Sequence, residues 1–329
     1  MKKIIKFLKK VFCSLDSRVS YVVLIYHLMK VAKCQSYVET FCRHADTLHC
    51  WIKRIYDVDI MRAFELQVRE ALRRLNVRSA AIAIDFTHEP FYGKSWNLHT
   101  INVSKAESHN AEFRYVTCCL IIKDKQIPLM ALPVRYGQQV AQTIEIFRFC
   151  LSLKFKIRYV LFDRGFYNAE LIDFLHSKKL NYLMLVPIRD GKIRGYKDKT
   201  ISFAKYNHQL YYTKAKSGWR PTTNLVVCKN QFGYDWMFAT NIKLHNPKDY
   251  VLLYKRRWQI ETNYRVEDEA KIKSKSVNYR IRYFYFILSM LFHLLWIVNK
   301  NLNYYAPFKR YLNIVEQKLL FEFLDIPKV

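Results

Sequence analysis

Two short runs of this chain are apolar at every position and end on an aspartate: Ala80-Ala-Ile-Ala-Ile84 before Asp85, and Tyr159-Val-Leu-Phe162 before Asp163. A strand that alternates apolar and polar residues has a wet face. A strand that is apolar throughout has none, and is stable only where other layers cover both of its faces. Such strands belong in the interior of a sheet flanked by helices, and each of these two delivers a carboxylate at its end.

The neighbouring segments supply the rest of such a sheet. Phe113–Ile122 and Ile127–Val134 read as two strands joined by the polar turn Lys123-Asp-Lys-Gln126, a hairpin signal. Gln138–Leu153 reads as a helix, Asn168–Lys178 as another, and Tyr182–Val186 as a further strand. The order strand, hairpin, helix, strand, helix, strand builds a mixed sheet with helices on its faces. It matches a ribonuclease-H-like core, in which the first strand is central and the fourth lies beside it. On that topology Asp85 and Asp163 end neighbouring strands.

Around this α/β core the sequence divides into four further parts. Residues 1–78 form an all-helical N-terminal region: no Gly or Pro precedes Pro90, and Met61, Phe64, Val68, Leu72 and Leu75 recur at helical spacing opposite Arg62, Arg69, Arg73 and Arg74. A DNA-binding head and a helical cap with a solvated basic face both fit that pattern. After the first part of the core (79–189), residues 190–248 lose the alternation and become rich in Lys, Tyr and Asn, with strand-like runs at Leu225–Cys228 and Trp236–Thr240; they read as a β-rich insertion. Helical periodicity resumes near Asp249, so 249–300 forms the last part of the core, and 301–329 a helical tail.

Charge narrows the function. The chain carries 55 Lys and Arg against 27 Asp and Glu, a net +28 over 329 residues. An excess of that size repels itself in a compact state and calls for an anionic partner; nucleic acid is the first candidate, since phosphate neutralisation releases counterions. A membrane surface is the second. Phe284–Val298 is the most apolar stretch, but it is shorter than the roughly 20 residues a span needs and contains His293, so it reads as a core helix. The N-terminus has the charge of a secretory signal without its apolar stretch, since Lys6, Lys9 and Lys10 interrupt it. The reading is an intracellular chain with reduced cysteines. Cys34, Cys42, His44, His49 and Cys50 lack the paired spacing of a zinc site and read as packing residues. There is no phosphate-binding glycine loop and no nucleophile-elbow serine.

Three carboxylates drawn together by a fold repel one another and are costly unless they hold a cation. The third here is Glu261, in Tyr254-Lys-Arg-Arg257-Trp-Gln-Ile-Glu261. This segment resembles the Tyr-x2-Arg-x3-Glu-x6-Lys signature of a subgroup of DDE transposases of insertion sequences. Intervals of three and four residues place Tyr254, Arg257 and Glu261 on one helix face. Asp85 with Thr87 resembles the first acidic motif of that family, and Asp163-Arg-Gly-Phe166 the second; the likeness covers roughly residues 80–300. It departs at the signature lysine, where residue 268 is Asp. Lys271 or Lys273 then takes its place from the next turn, or else Glu267, Asp268 or Glu269 replaces Glu261 as the ligand.

The resemblance implies a transposase that cuts at transposon ends and joins them to target DNA. Asp85, Asp163 and Glu261 would hold two Mg²⁺ or Mn²⁺ ions. Tyr254, Arg257, Lys271 and Arg164 would hold phosphates, with Trp219 or Trp236 stacking on a base; each of those tryptophans also fits ordinary packing. It implies double-stranded DNA as partner (terminal repeats and target), a homodimer on paired ends, a cytoplasmic, nucleoid-associated location and no membrane. A related nuclease that cuts without joining, and a DNA-binding relic without activity, remain open at this point.

Overall fold

The structure, a computed structural model, describes residues 2–12, 21–93, 98–103, 108–122, 125–188, 191–210, 220–300 and 306–324. Its helices are α1 Lys2–Val11, α2 Tyr21–Lys33, α3 Val38–Phe41, α4 Ala45–Arg54, α5 Asp57–Arg74, α6 Gln139–Ser152, α7 Ala169–Ser177, α8 Gly191–Lys199, α9 Pro247–Lys255, α10 Gln259–Asp268, α11 Tyr279–Lys300 and α12 Phe308–Leu324. Its strands are β1 Ser79–Phe91, β2 Thr100–Asn102, β3 Ala111–Ile122, β4 Lys125–Pro133, β5 Lys156–Phe162, β6 Tyr182–Leu185, β7 Phe203–Gln209, β8 Thr222–Gln231 and β9 Tyr234–Thr240.

The described strands form one mixed sheet in the order β2-β3-β1-β5-β6-β9-β8-β7, with β4 also paired to β3. β1 is interior, antiparallel to β3 and parallel to β5, as expected of a ribonuclease-H-like core. Its register pairs Ile84 with Phe162, so Asp85 and Asp163 are the next residue on each of two adjacent strands. The strands of the 190–248 region do not stand apart. β9 pairs antiparallel with β6, and β8 and β7 extend the same sheet outward.

Side-chain parity decides which helices meet the aspartates. Ala80, Ile82 and Ile84 of β1, with Val160 and Phe162 of β5, belong to the larger core. That core includes buried residues of α1, α2, α4, α5, α6, α7, α11 and α12, so the N-terminal helices share it with the C-terminal ones. Ala81, Ala83 and Leu161 face the other way and pack against Tyr250, Val251, Tyr254 and Ile260 of α9 and α10. Because successive strand residues alternate faces, Asp85 and Asp163 continue this second series and come out under α9 and α10.

The long apolar helix α11 meets the length and hydropathy of a membrane span, but 89% of that window is buried inside the fold, where it serves as the core helix. Near the N-terminus, His49 bonds the Tyr285 hydroxyl at 2.8 Å, while Cys34 and Cys50 lie exposed.

The β5–α7 connection is fixed at its far end by Asn168. Its Oδ1 accepts from the backbone N–H groups of Glu170 (2.9 Å) and Leu171 (3.4 Å), capping α7. Asn168→Ala is expected to destabilise the protein by about 1 kcal/mol, read as a lower urea midpoint with unchanged slope.

Candidate active site

Tyr254 lies in the last turn of α9, Arg257 lies in a 3-10 turn, Arg256–Trp258, and Glu261 is in the first turn of α10. The sequence suggests one unbroken helix here; a tighter turn interrupts it, yet the three side chains still form one network. The Tyr254 hydroxyl donates to Asp163 Oδ1 at 3.1 Å. Arg257 donates from Nε to the Tyr254 oxygen at 3.2 Å, from one terminal nitrogen to Asp85 Oδ2 at 2.5 Å, and from the other to Glu261 Oε1 at 3.3 Å. All three expected carboxylates are therefore tied to a single guanidinium, two directly and Asp163 through the tyrosine.

Their surroundings differ. The Asp85 side chain is 15% exposed and that of Glu261 52%. Burial pushes the Asp85 carboxyl up; Arg257 and the Phe86 N–H pull it down, and Asp163 and Glu261 push it up again, leaving it at about 6. Arg257 is itself buried, which weakens its charge. The Tyr254 phenol, Asp85 and Asp163 more than offset that and hold it firmly protonated.

Two features that the sequence did not signal lock the aspartates in place. Phe86, which follows Asp85, stacks on Phe166 of the Asp163-Arg-Gly-Phe turn, with centroids 4.2 Å apart and planes within 6°. The Thr117 hydroxyl donates to the Asp85 carbonyl at 3.1 Å and also bonds Tyr264, one turn beyond Glu261 on α10. Sequence could have pointed to Phe86 and Phe166 only as apolar residues beside acids.

The other candidates are spread around this centre. Arg164 is exposed in the turn after Asp163. Lys271 lies 3.5 Å from Asp268. Glu267 points into the core, 3.4 Å from His293, and so does not join the carboxylate network. Trp236 is half-buried; it packs on Phe238 and edge-on to Tyr254, and its N–H donates to the Gln231 carbonyl at 2.9 Å, which gives the ring a packing role behind Tyr254. Trp219 lies outside the described residues.

Among the described residues no three acidic, His or Cys side chains close into a finished metal cage. The donor set nevertheless suits a hard cation, because it consists of carboxylate oxygens and already holds one positive group, Arg257, between Asp85 and Glu261.

A ribonuclease-H-like sheet that brings two strand-end aspartates under a helical glutamate defines the class of the DDE nucleic-acid enzymes. The chain belongs to the transposase DDE domain family, whose model matches residues 82–295; it is a DNA transposase, and DDE transposases are divalent-metal dependent. No curated protein matches the chain in sequence. Among solved structures it is similar to the piggyBac transposase, solved as a synaptic complex with hairpin DNA. That match has a TM-score of 0.60 and 12% identity, and covers 99% of this chain and 80% of that one; at this identity the likeness is one of fold.

Proposed function

We propose that Asp85, Asp163 and Glu261 are the catalytic carboxylates of this transposase and together take two Mg²⁺ or Mn²⁺ ions. The observation that carries this reading is the convergence of all three on Arg257 and Tyr254. When bound, the ions supply an activated water or 3′-hydroxyl and relief of charge on the leaving oxygen. The residues do the rest. Asp85, mostly covered and held at its backbone carbonyl by Thr117, fixes the inner position; Glu261, on the exposed side, leaves room for DNA. Arg257 and Tyr254 are close enough to turn from the carboxylates to a phosphate, for which Arg is suited by its paired donors. Arg164 and Lys271 add cations at the rim.

The Tyr-Arg-Glu part of the signature supports membership of the Tyr-Arg-Glu-Lys subgroup, with Lys271 standing in for the lysine that Asp268 replaces. In this reading the chain acts in the cytoplasm at the nucleoid, as a homodimer pairing two transposon ends on double-stranded DNA and joining them to a target. Manganese titration followed by its paramagnetic signal tests the metal reading. Two ions per chain are expected, with binding lost in a variant carrying both Asp85→Asn and Asp163→Asn. Unaltered binding in that variant would remove these residues from the metal site.

A further inference from the structure

Asp85, Thr87 and Glu89 alternate along β1 and therefore share one sheet face. From Asp85 that face runs about 13 Å to Glu89, past a water-sized cleft whose lining includes Thr87, Glu89, Tyr264, Glu267, Asp268 and Arg282. Beyond it opens a groove of about 430 Å³ whose lining includes Lys271, Lys273, Lys275, Tyr37, Tyr92 and Arg282. The cleft and the groove share Glu89, Lys271 and Arg282, so the groove adjoins the far end of the β1 face that begins at Asp85.

The groove is cationic by construction. Among the described residues Glu89 is the one acid lining it, and Arg282 cancels that charge at 2.5 Å. Arg282 is also held by the Ser276 carbonyl at 2.6 Å and lies over the rings of Phe91 and Phe113, so it forms a fixed floor. Lys273 and Lys275 stand exposed on the groove, while Lys271 lies 3.5 Å from Asp268. Their segment is anchored: the Lys273 N–H donates to the Ser36 carbonyl at 2.9 Å, and Gln35 bonds the Asp268 carbonyl at 2.6 Å. Lys275 lies over the Tyr37 ring. On the rim stands Tyr92, 68% exposed; an exposed aromatic beside cations is the usual platform for an unpaired base.

We infer that this groove binds a single DNA strand beside the carboxylate site, with phosphates on Lys273 and Lys275 and a base against Tyr92. The inference rests on the transposase reading of the site and adds a strand-binding surface next to it. The volume suits one or two nucleotides.

The test uses the full chain with Ca²⁺ in place of Mn²⁺, a fluorescent single strand of mixed sequence and its duplex. Replacing both Lys273 and Lys275 by Gln should lower the slope of log affinity against log salt by about 1.4 for the single strand. Tyr92→Ala should weaken single-strand binding on the order of tenfold. Manganese binding and the urea midpoint should stay as in the wild type. An unchanged slope, or a loss confined to the duplex, overturns the groove while leaving the catalytic reading intact, provided the wild type cuts DNA with Mn²⁺. A wild type that neither binds nor cuts DNA overturns both.

Discussion

Asp163→Asn should reduce both end cleavage and strand transfer by on the order of 10³-fold or more, equivalent to about 4 kcal/mol of lost transition-state stabilisation. The substitution keeps the shape of the side chain and an oxygen that can still accept from the Tyr254 hydroxyl, now at 3.1 Å from Asp163. What it removes is one negative charge from the cluster proposed to take the metal ions. Asp163 is half-exposed and lies just beyond β5, in a turn braced by the Phe86–Phe166 stack, so the fold is expected to survive. DNA affinity measured without metal should change by only a few-fold, because the lost group is an acid and not a phosphate contact. A variant that retained activity within tenfold of the wild type would exclude Asp163 from the chemistry. A wild type that bound DNA but showed no metal-dependent cutting would favour the relic reading.

How much of this site the sequence revealed follows from parity and period. A strand apolar at every position has to be interior, and a strand-end residue inherits its face from the residue two before it; this made Asp85 and Asp163 visible as a pair. The register that sets Ile84 against Phe162 is a long-range choice that no local pattern encodes. Glu261 was reached through a resemblance, since a glutamate among arginines on a helix is in itself an unremarked surface ion pair. The 3-10 turn at Arg256–Trp258 was hidden because Arg-Arg-Trp contains neither Gly nor Pro. β7 was also missed: Phe-Ala-Lys-Tyr-Asn-His-Gln is too polar to announce a strand, and it forms one by adding to the edge of β8. The amphipathic α5 showed that one face must be buried, not that its partners would include α1 and α11.

Arg257→Ala should cost the metal-free protein about 3–5 kcal/mol at neutral pH, the usual result of breaking a buried ion pair from one side. Of the two carboxylates that Arg257 touches, Asp85 dominates this loss, because Glu261 is half in solvent and contributes little. Lysine should not rescue it, having no planar fork with which to reach Tyr254, Asp85 and Glu261 together. The sign of the pH dependence follows from Asp85, whose folded-state value of about 6 lies above its ordinary 3.8. The native state therefore binds the proton more tightly than the unfolded chain, and wild-type stability should fall by about 3 kcal/mol between pH 4 and 6 and level off above. Without Arg257 the carboxyl rises further, so stability should keep falling at higher pH, and the gap between variant and wild type should narrow as pH drops through 6. Urea unfolding at pH 5 and pH 8 checks this, and equal gaps at the two values would contradict it. Manganese should then stabilise Arg257→Ala more than the wild type, because in the wild type the ions must displace a cation that already sits between Asp85 and Glu261, and in the variant they fill a site left with uncompensated negative charge.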